Sequence, residues 1–168
     1  MIAEMVRLAD RIGKLQRWRR WLFLVSIGAF ATLALPPVNF LPAVILSGVG
    51  LVWCMAFGPE GKWSGFAAGW TFSSGYFAFG LYWVGNALLV FADQHAWMLP
   101  FAALGLPAFL AIFGGLAGVA VSFARGPLAT PIAVTAAFGA ADWLRGHILT
   151  GLPWNLFGHA WSGIDPLL

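Results

Sequence analysis

Apolar residues fill this chain in five long stretches, each closed by prolines, a glycine-rich turn or a short polar cluster. The first runs over about 18 or 21 to 35 and stops at Pro36-Pro37; the second covers about 40–57 and stops at "GPEGKW". The third spans about 65–91 and ends at "ADQH". The fourth, about 97–123, contains Pro100 and Pro107, which predict a kink or a late helix start. The fifth opens at Pro127 or Pro131, residues suited to a first helical turn, and continues to about 144. Such runs are long enough for a bilayer core of about 30 Å. The pattern predicts an all-α, polytopic helical membrane protein with about five transmembrane helices.

Composition strengthens that picture. Of the 168 residues, 61% are hydrophobic and 9% charged, against roughly half and a quarter in a soluble domain. The net charge of +3 could suggest nucleic acid, but Arg7, Arg11, Lys14, Arg17, Arg19 and Arg20 crowd the first twenty residues. A basic cluster beside an apolar run orients a membrane protein, so it predicts a cytoplasmic N-terminus and no nucleic-acid partner. Lys62 and Arg125 then fall on the second and fourth connections, on the same side, while the first and third hold no Lys or Arg. The expected organisation is a basic cytoplasmic segment over 1–17, a five-helix bundle over 18–146 and an outer-side loop over 147–168. The first apolar run has no small-residue cleavage site and is read as a retained span, not a cleaved signal. Trp21, Trp63, Trp97 and Trp161 lie near proposed span ends, where an indole suits the headgroup level.

Small residues predict where helices touch. Gly61, Gly65 and Gly69 recur every fourth position, and Gly114 with Gly118 repeats the spacing, which allows close backbone approach. Gly75, Gly80 and Gly85 recur every fifth position, a spacing that drifts round a helix and leaves room for a neighbour or a lipid chain.

Polar chemistry is scarce and concentrated. Asp142 and Arg145, three apart, share a helix face and predict a structural ion pair near the outer end of the fifth span; Arg145 could also meet a lipid headgroup or a neighbouring domain. Asn86, expected to be buried, could bond across helices or touch substrate. His147 and His159 are twelve apart, a spacing that fits no metal site, and no metal or cofactor is expected. Cys54 is read as a small buried hydrophobe, and Ser73 as a packing residue, since a nucleophilic serine would need a base in reach.

Two stretches, "GYFAFGLYWVGNALL" and "ADWLRGHILTGLPWNLFGHAW", resemble the membrane part of the apolipoprotein N-acyltransferases. Trp83-Val84 matches a Trp-Val pair that closes the family's third-span segment. Asp142, Trp143, Leu144, Arg145 and Gly146, then Leu149, Thr150, Gly151, Leu152, Pro153 and Trp154, match its fifth-span motif, with Asp142 standing where glutamate is common. The resemblance implies a multi-pass protein of the bacterial inner membrane. It also implies further helices and an outer nitrilase-like domain with a Glu-Lys-Cys triad. That domain is absent from these residues, and Cys54 has no matching motif around it. The expectation is therefore a fragment with no catalytic residue of its own, inactive alone. The whole enzyme would move an acyl chain from a phospholipid donor to the α-amino group of the diacylglyceryl-cysteine of an apolipoprotein acceptor. Arg145, Pro153, Trp154, Trp83 and Asn86 are the candidates for its lipid entrance. The competing reading is a non-enzymatic membrane protein, a transporter fragment or an assembly scaffold. Transporters place ionisable groups near mid-membrane, whereas the polar cluster here lies at a span end.

Overall fold

The computed structural model describes residues 2–124, 126–148, 151 and 153–162. Arg125, Leu149, Thr150 and Leu152, which entered the topology and motif readings, lie outside the described residues. Helices account for nearly all the regular structure, and no strand occurs among the described residues.

Helix α1 (Ile2–Gly13) precedes α2 (Arg17–Ala31), which tightens into a 3-10 turn at Thr32–Ala34; α3 spans Pro42–Ala56 and α4 Lys62–Gly80. Three short pieces follow: α5 (Trp83–Leu89), α6 (Ala92–His95) and a 3-10 turn at Ala96–Met98. A π turn at Phe101–Gly105 leads into α7 (Leu106–Val121), and α8 covers Ala129–His147 before a last 3-10 turn at Phe157–Trp161.

Five helices, α2, α3, α4, α7 and α8, form an up-and-down bundle, each at one of the five apolar stretches. Their directions can be read from side-chain contacts. Arg20 at the start of α2 bonds to Cys54 near the end of α3 and to Ser64 near the start of α4. Gly65 and Gly69 on α4 face Gly118 and Gly114 on α7 in reverse order. A Cβ at any of these four would collide with the facing helix. The backbones touch, as the four-residue spacing predicts. Gly61 is not part of that seam: it precedes α4 with φ of 105° and open space around it. Tyr76, Leu24, Cys54 and Ser47 are the bulkiest fully buried side chains. Cys54 is thus the buried hydrophobe expected, and Ser73 is buried against Gly114.

Two boundaries depart from the apolar pattern. The third stretch breaks at Gly80, because the chain folds over to begin α5; the drifting Gly75, Gly80 and Gly85 therefore straddle two helices. Gly75 meets the Val25 carbonyl of α2, Gly80 meets Asn155, and Gly85 has only Leu99 nearby. The fourth stretch starts its α-helix late, at Leu106, with Pro107 in the first turn.

Among the described residues, one helix, Phe101–Val121 with its 21 residues, is long and apolar enough by itself to cross a bilayer. The others fall short for different reasons. Helices α2 and α3 have 15 residues each, about 22 Å at 1.5 Å per residue. Helix α4 is diluted by glycine, serine and threonine, and α8 carries Asp142 and Arg145. The outer surface is nonetheless apolar: Leu22, Leu46, Phe109, Leu116 and Ile132 are all exposed.

Candidate functional site

One group of polar side chains gathers where α4 and α8 end. Residues 142 and 145 sit on one face of α8, and Arg145 is 2% exposed, an unusual burial for a guanidinium. Its Nη2 donates to Asp142 Oδ1 at 3.0 Å, forming the ion pair predicted from the spacing. The remaining donors reach into the loop that follows: Nη1 donates to the Trp154 carbonyl at 2.7 Å and Nη2 to the Asn155 carbonyl at 3.3 Å. The second oxygen of Asp142 accepts from the Phe157 backbone N–H at 2.7 Å. The pair is therefore a clamp that fastens residues 154–157 to the end of α8. Arg145 also lies over the Phe77 ring, 4.9 Å from its centroid, a cation–π contact in a desolvated setting.

Aromatic packing completes the fastening. Phe157 stacks on Tyr76 with ring centres 4.6 Å apart and meets Phe72 and Phe138 at 6.3 and 6.1 Å. Asn155 turns the chain through a left-handed conformation, φ 50°, and its amide lies against Gly80. A Cβ at Gly80 would strike that amide, so the glycine that ends α4 also makes room for the loop.

The result is to present two tryptophans side by side. Trp83, on the first turn of α5, and Trp154 have ring centres 4.9 Å apart, and both are more than two-fifths exposed. Tyr82 and Pro153 beside them are exposed as well. Four expected site residues, Trp83, Arg145, Pro153 and Trp154, thus come together, with Asp142 beneath them. Asn86 does not fit its expected setting. It lies on the exposed side of α5, because the break at Gly80 takes this segment out of the bundle. His147 stacks on Trp143, with Nδ1 2.7 Å from the Trp143 carbonyl, and His159 is exposed.

Sequence reasoning did not single out Phe157, Asn155, Tyr76 or Phe77. Phe157 and Asn155 sat within the quoted motif, but only the fold shows that an aromatic twelve residues past Arg145 is driven back between α4 and α8.

Comparison with known proteins points to one family. The family model described as the apolipoprotein N-acyltransferase N-terminal domain covers residues 27–168. A protein named apolipoprotein N-acyltransferase from Rhizobium etli (strain CIAT 652) is 48% identical over 164 residues, 92% of this chain and 31% of its own length. The Brucella suis biovar 1 protein of that name is 46% identical over 163 residues, again 92% and 31%. That of Rhodopseudomonas palustris is 40% identical over 167 residues, 96% and 31%. The chain spans about a third of the length of these curated relatives. With the match running from within α2 to the end of the chain, and taking in the clamp and both tryptophans, this chain belongs to the apolipoprotein N-acyltransferase family, within its N-terminal domain.

Proposed function

We propose that these residues form the membrane platform of an apolipoprotein N-acyltransferase, with the Trp83–Trp154 pair and its Asp142–Arg145 clamp bordering the route by which lipid reaches the reacting groups. The observation that carries this reading is the clamp itself. A buried arginine and three aromatic contacts fix a loop whose outward product is an exposed pair of indoles. Indoles of this kind sit at the headgroup level, where one edge is apolar and the other wet.

The five bundle helices are taken as spans, with α1 and the basic residues on the cytoplasmic side and the clamp on the outer side of the bacterial inner membrane. Three features support this. The helices alternate in direction, their outward surfaces are apolar, and Trp21 and Trp63 mark one end while Trp97 and Trp161 mark the other, all four exposed. Residues 1–17 are then the cytoplasmic segment, 18–146 the bundle and 147–168 outer-side loop.

The reaction assigned to the whole enzyme is a two-stage acyl transfer. A cysteine thiolate attacks the ester carbonyl of a phospholipid, forming a thioester and releasing the lysophospholipid alkoxide, which takes up a proton. A carboxylate serves as general base and a lysine stabilises the oxyanion. The α-amino group of the apolipoprotein's lipidated cysteine then attacks the thioester and passes a proton to the carboxylate, giving an amide and returning the thiolate. These 168 residues contribute positioning: the bundle holds the donor's chains and the tryptophan pair orients its head. The cysteine, base and lysine belong to the nitrilase-like domain that the family resemblance implies. On its own the chain is expected to form no thioester with radiolabelled phospholipid.

The test uses a full-length enzyme carrying this N-terminal sequence. Trp154→Ala and Arg145→Ala should each lower acyl transfer at least ten-fold at equal protein level, about 1.4 kcal/mol or more of transition-state stabilisation. Unchanged transfer in both variants would remove the lipid-entrance role. A transporter or scaffold reading gains nothing from a clamp built at the end of the bundle to hold an exposed pair of indoles.

A further inference from the structure

At the end of the bundle opposite the clamp lies a cavity of about 710 Å³, within the range of small-molecule pockets. Much of its wall is apolar, with Val49, Val52, Val121 and Val134 facing it from α3, α7 and α8. Arg20 also lines it. This arginine is 8% exposed and, among the described residues, forms no ion pair. Nη1 donates to Ser64 Oγ at 3.2 Å and Nη2 to the Cys54 carbonyl at 3.1 Å, while Nε is buried without a partner. Two of five N–H donors are thus accounted for.

A buried cation that meets only a hydroxyl and a carbonyl is poorly compensated; removing such a charge from water costs several kcal/mol unless an anion repays it. The cavity beside it can admit one. Its chemistry fixes the class: an anionic head for the guanidinium and a hydrocarbon tail for the valine wall. Arg17 and Arg19 crowd the same end, each lying over a tryptophan ring, and Arg7, Arg11 and Lys14 are close by in the chain. Basic pockets between membrane helices on the cytoplasmic side hold acidic lipid heads, and this leaflet is the one rich in them. Glu60 also lines the cavity. It is exposed, so water screens its charge and it offsets the buried guanidinium of Arg20 little.

We propose that this cavity binds an anionic phospholipid of the inner leaflet, its phosphate on Arg20 and one acyl chain along Val49, Val52 and Val134. The site rests on the membrane orientation above but not on the acyl-transfer role. It is a second lipid site, remote from the reacting end, and its lipid is held and not consumed.

The 168-residue chain, reconstituted in nanodiscs of phosphatidylcholine and phosphatidylglycerol at four to one, is extracted in mild detergent and weighed intact by native mass spectrometry. Wild type should retain one phosphatidylglycerol in about ten-fold preference over phosphatidylcholine, the ratio expected from one charge-assisted contact. Arg20→Gln should abolish the preference. Val52→Phe, which fills the wall and leaves the charge in place, should lower total retention. The Val52→Phe result keeps the test decisive if the Arg20 variant does not fold. Retention without headgroup preference, displacement by an equal amount of palmitate, or unchanged retention in both variants would overturn the proposal. The same chain with Trp154→Ala should retain phosphatidylglycerol as wild type does, so this site and the entrance at the other end fail or stand separately.

Discussion

At the scale of single residues, the Asp142–Arg145 pair carries more than its spacing indicates. A pair three apart on a helix surface contributes a few tenths of a kcal/mol. Here the arginine is buried, and its other donors hold the Trp154 and Asn155 carbonyls. Breaking a buried pair on one side costs about 3–5 kcal/mol. Asp142→Ala is therefore expected to lower thermal stability strongly and to release residues 154–157, seen as a red shift of tryptophan emission. Arg145→Lys should behave nearly as badly, because an ammonium cannot reach a carboxylate and two carbonyls in fixed directions. The double variant Asp142→Ala/Arg145→Ala should cost less than the sum of its two singles by about 1–3 kcal/mol, as partners in one network do. The sequence made the pair legible, and with it Trp154. It did not reveal that Arg145 is buried, since burial depends on the loop folding back, nor that Arg20 is, since the crowd of neighbouring cations reads as a solvated cluster.

At the scale of helices, the apolar runs located all five bundle helices, and the glycine spacing identified the α4–α7 seam. What periodicity could not show was the break at Gly80. The residues around it stay apolar and aromatic while the chain leaves the bundle, so composition continues where geometry changes. Asn86 was misjudged for the same reason. The seam supports a contrast between glycines. Gly69→Ala places a methyl against the Gly114 carbonyl and should destabilise by about 1–3 kcal/mol, as overpacking does. Gly139→Ala on α8 meets nothing within 4 Å and should be neutral or stabilising by up to about 1 kcal/mol. Thermal unfolding of the two variants in one detergent checks the difference.

At the scale of the whole molecule, the two ends differ in chemistry. One carries α1, the basic residues and the Arg20 cavity; the other carries the clamp and the paired indoles. Cysteine labelling can establish which end faces which compartment. Cys54 is fully buried and should stay unmodified by an impermeant maleimide in intact cells. Ser162→Cys should react from outside, and Lys14→Cys only after the membrane is opened. Reaction of both from the same side would reject the alternating scheme. The charge asymmetry between the two ends was readable in the first twenty residues. The cavity was not, since it is walled by residues from helices far apart in the chain.

Arg145 grips main-chain oxygens, and every residue type offers one. The mount is thus indifferent to what it carries. The side chain at position 154 can be exchanged for another ring, a shorter aliphatic or a charge while its position on the bundle stays fixed. A library at this single position would vary the exposed ring beside Trp83 while leaving the clamp beneath it intact.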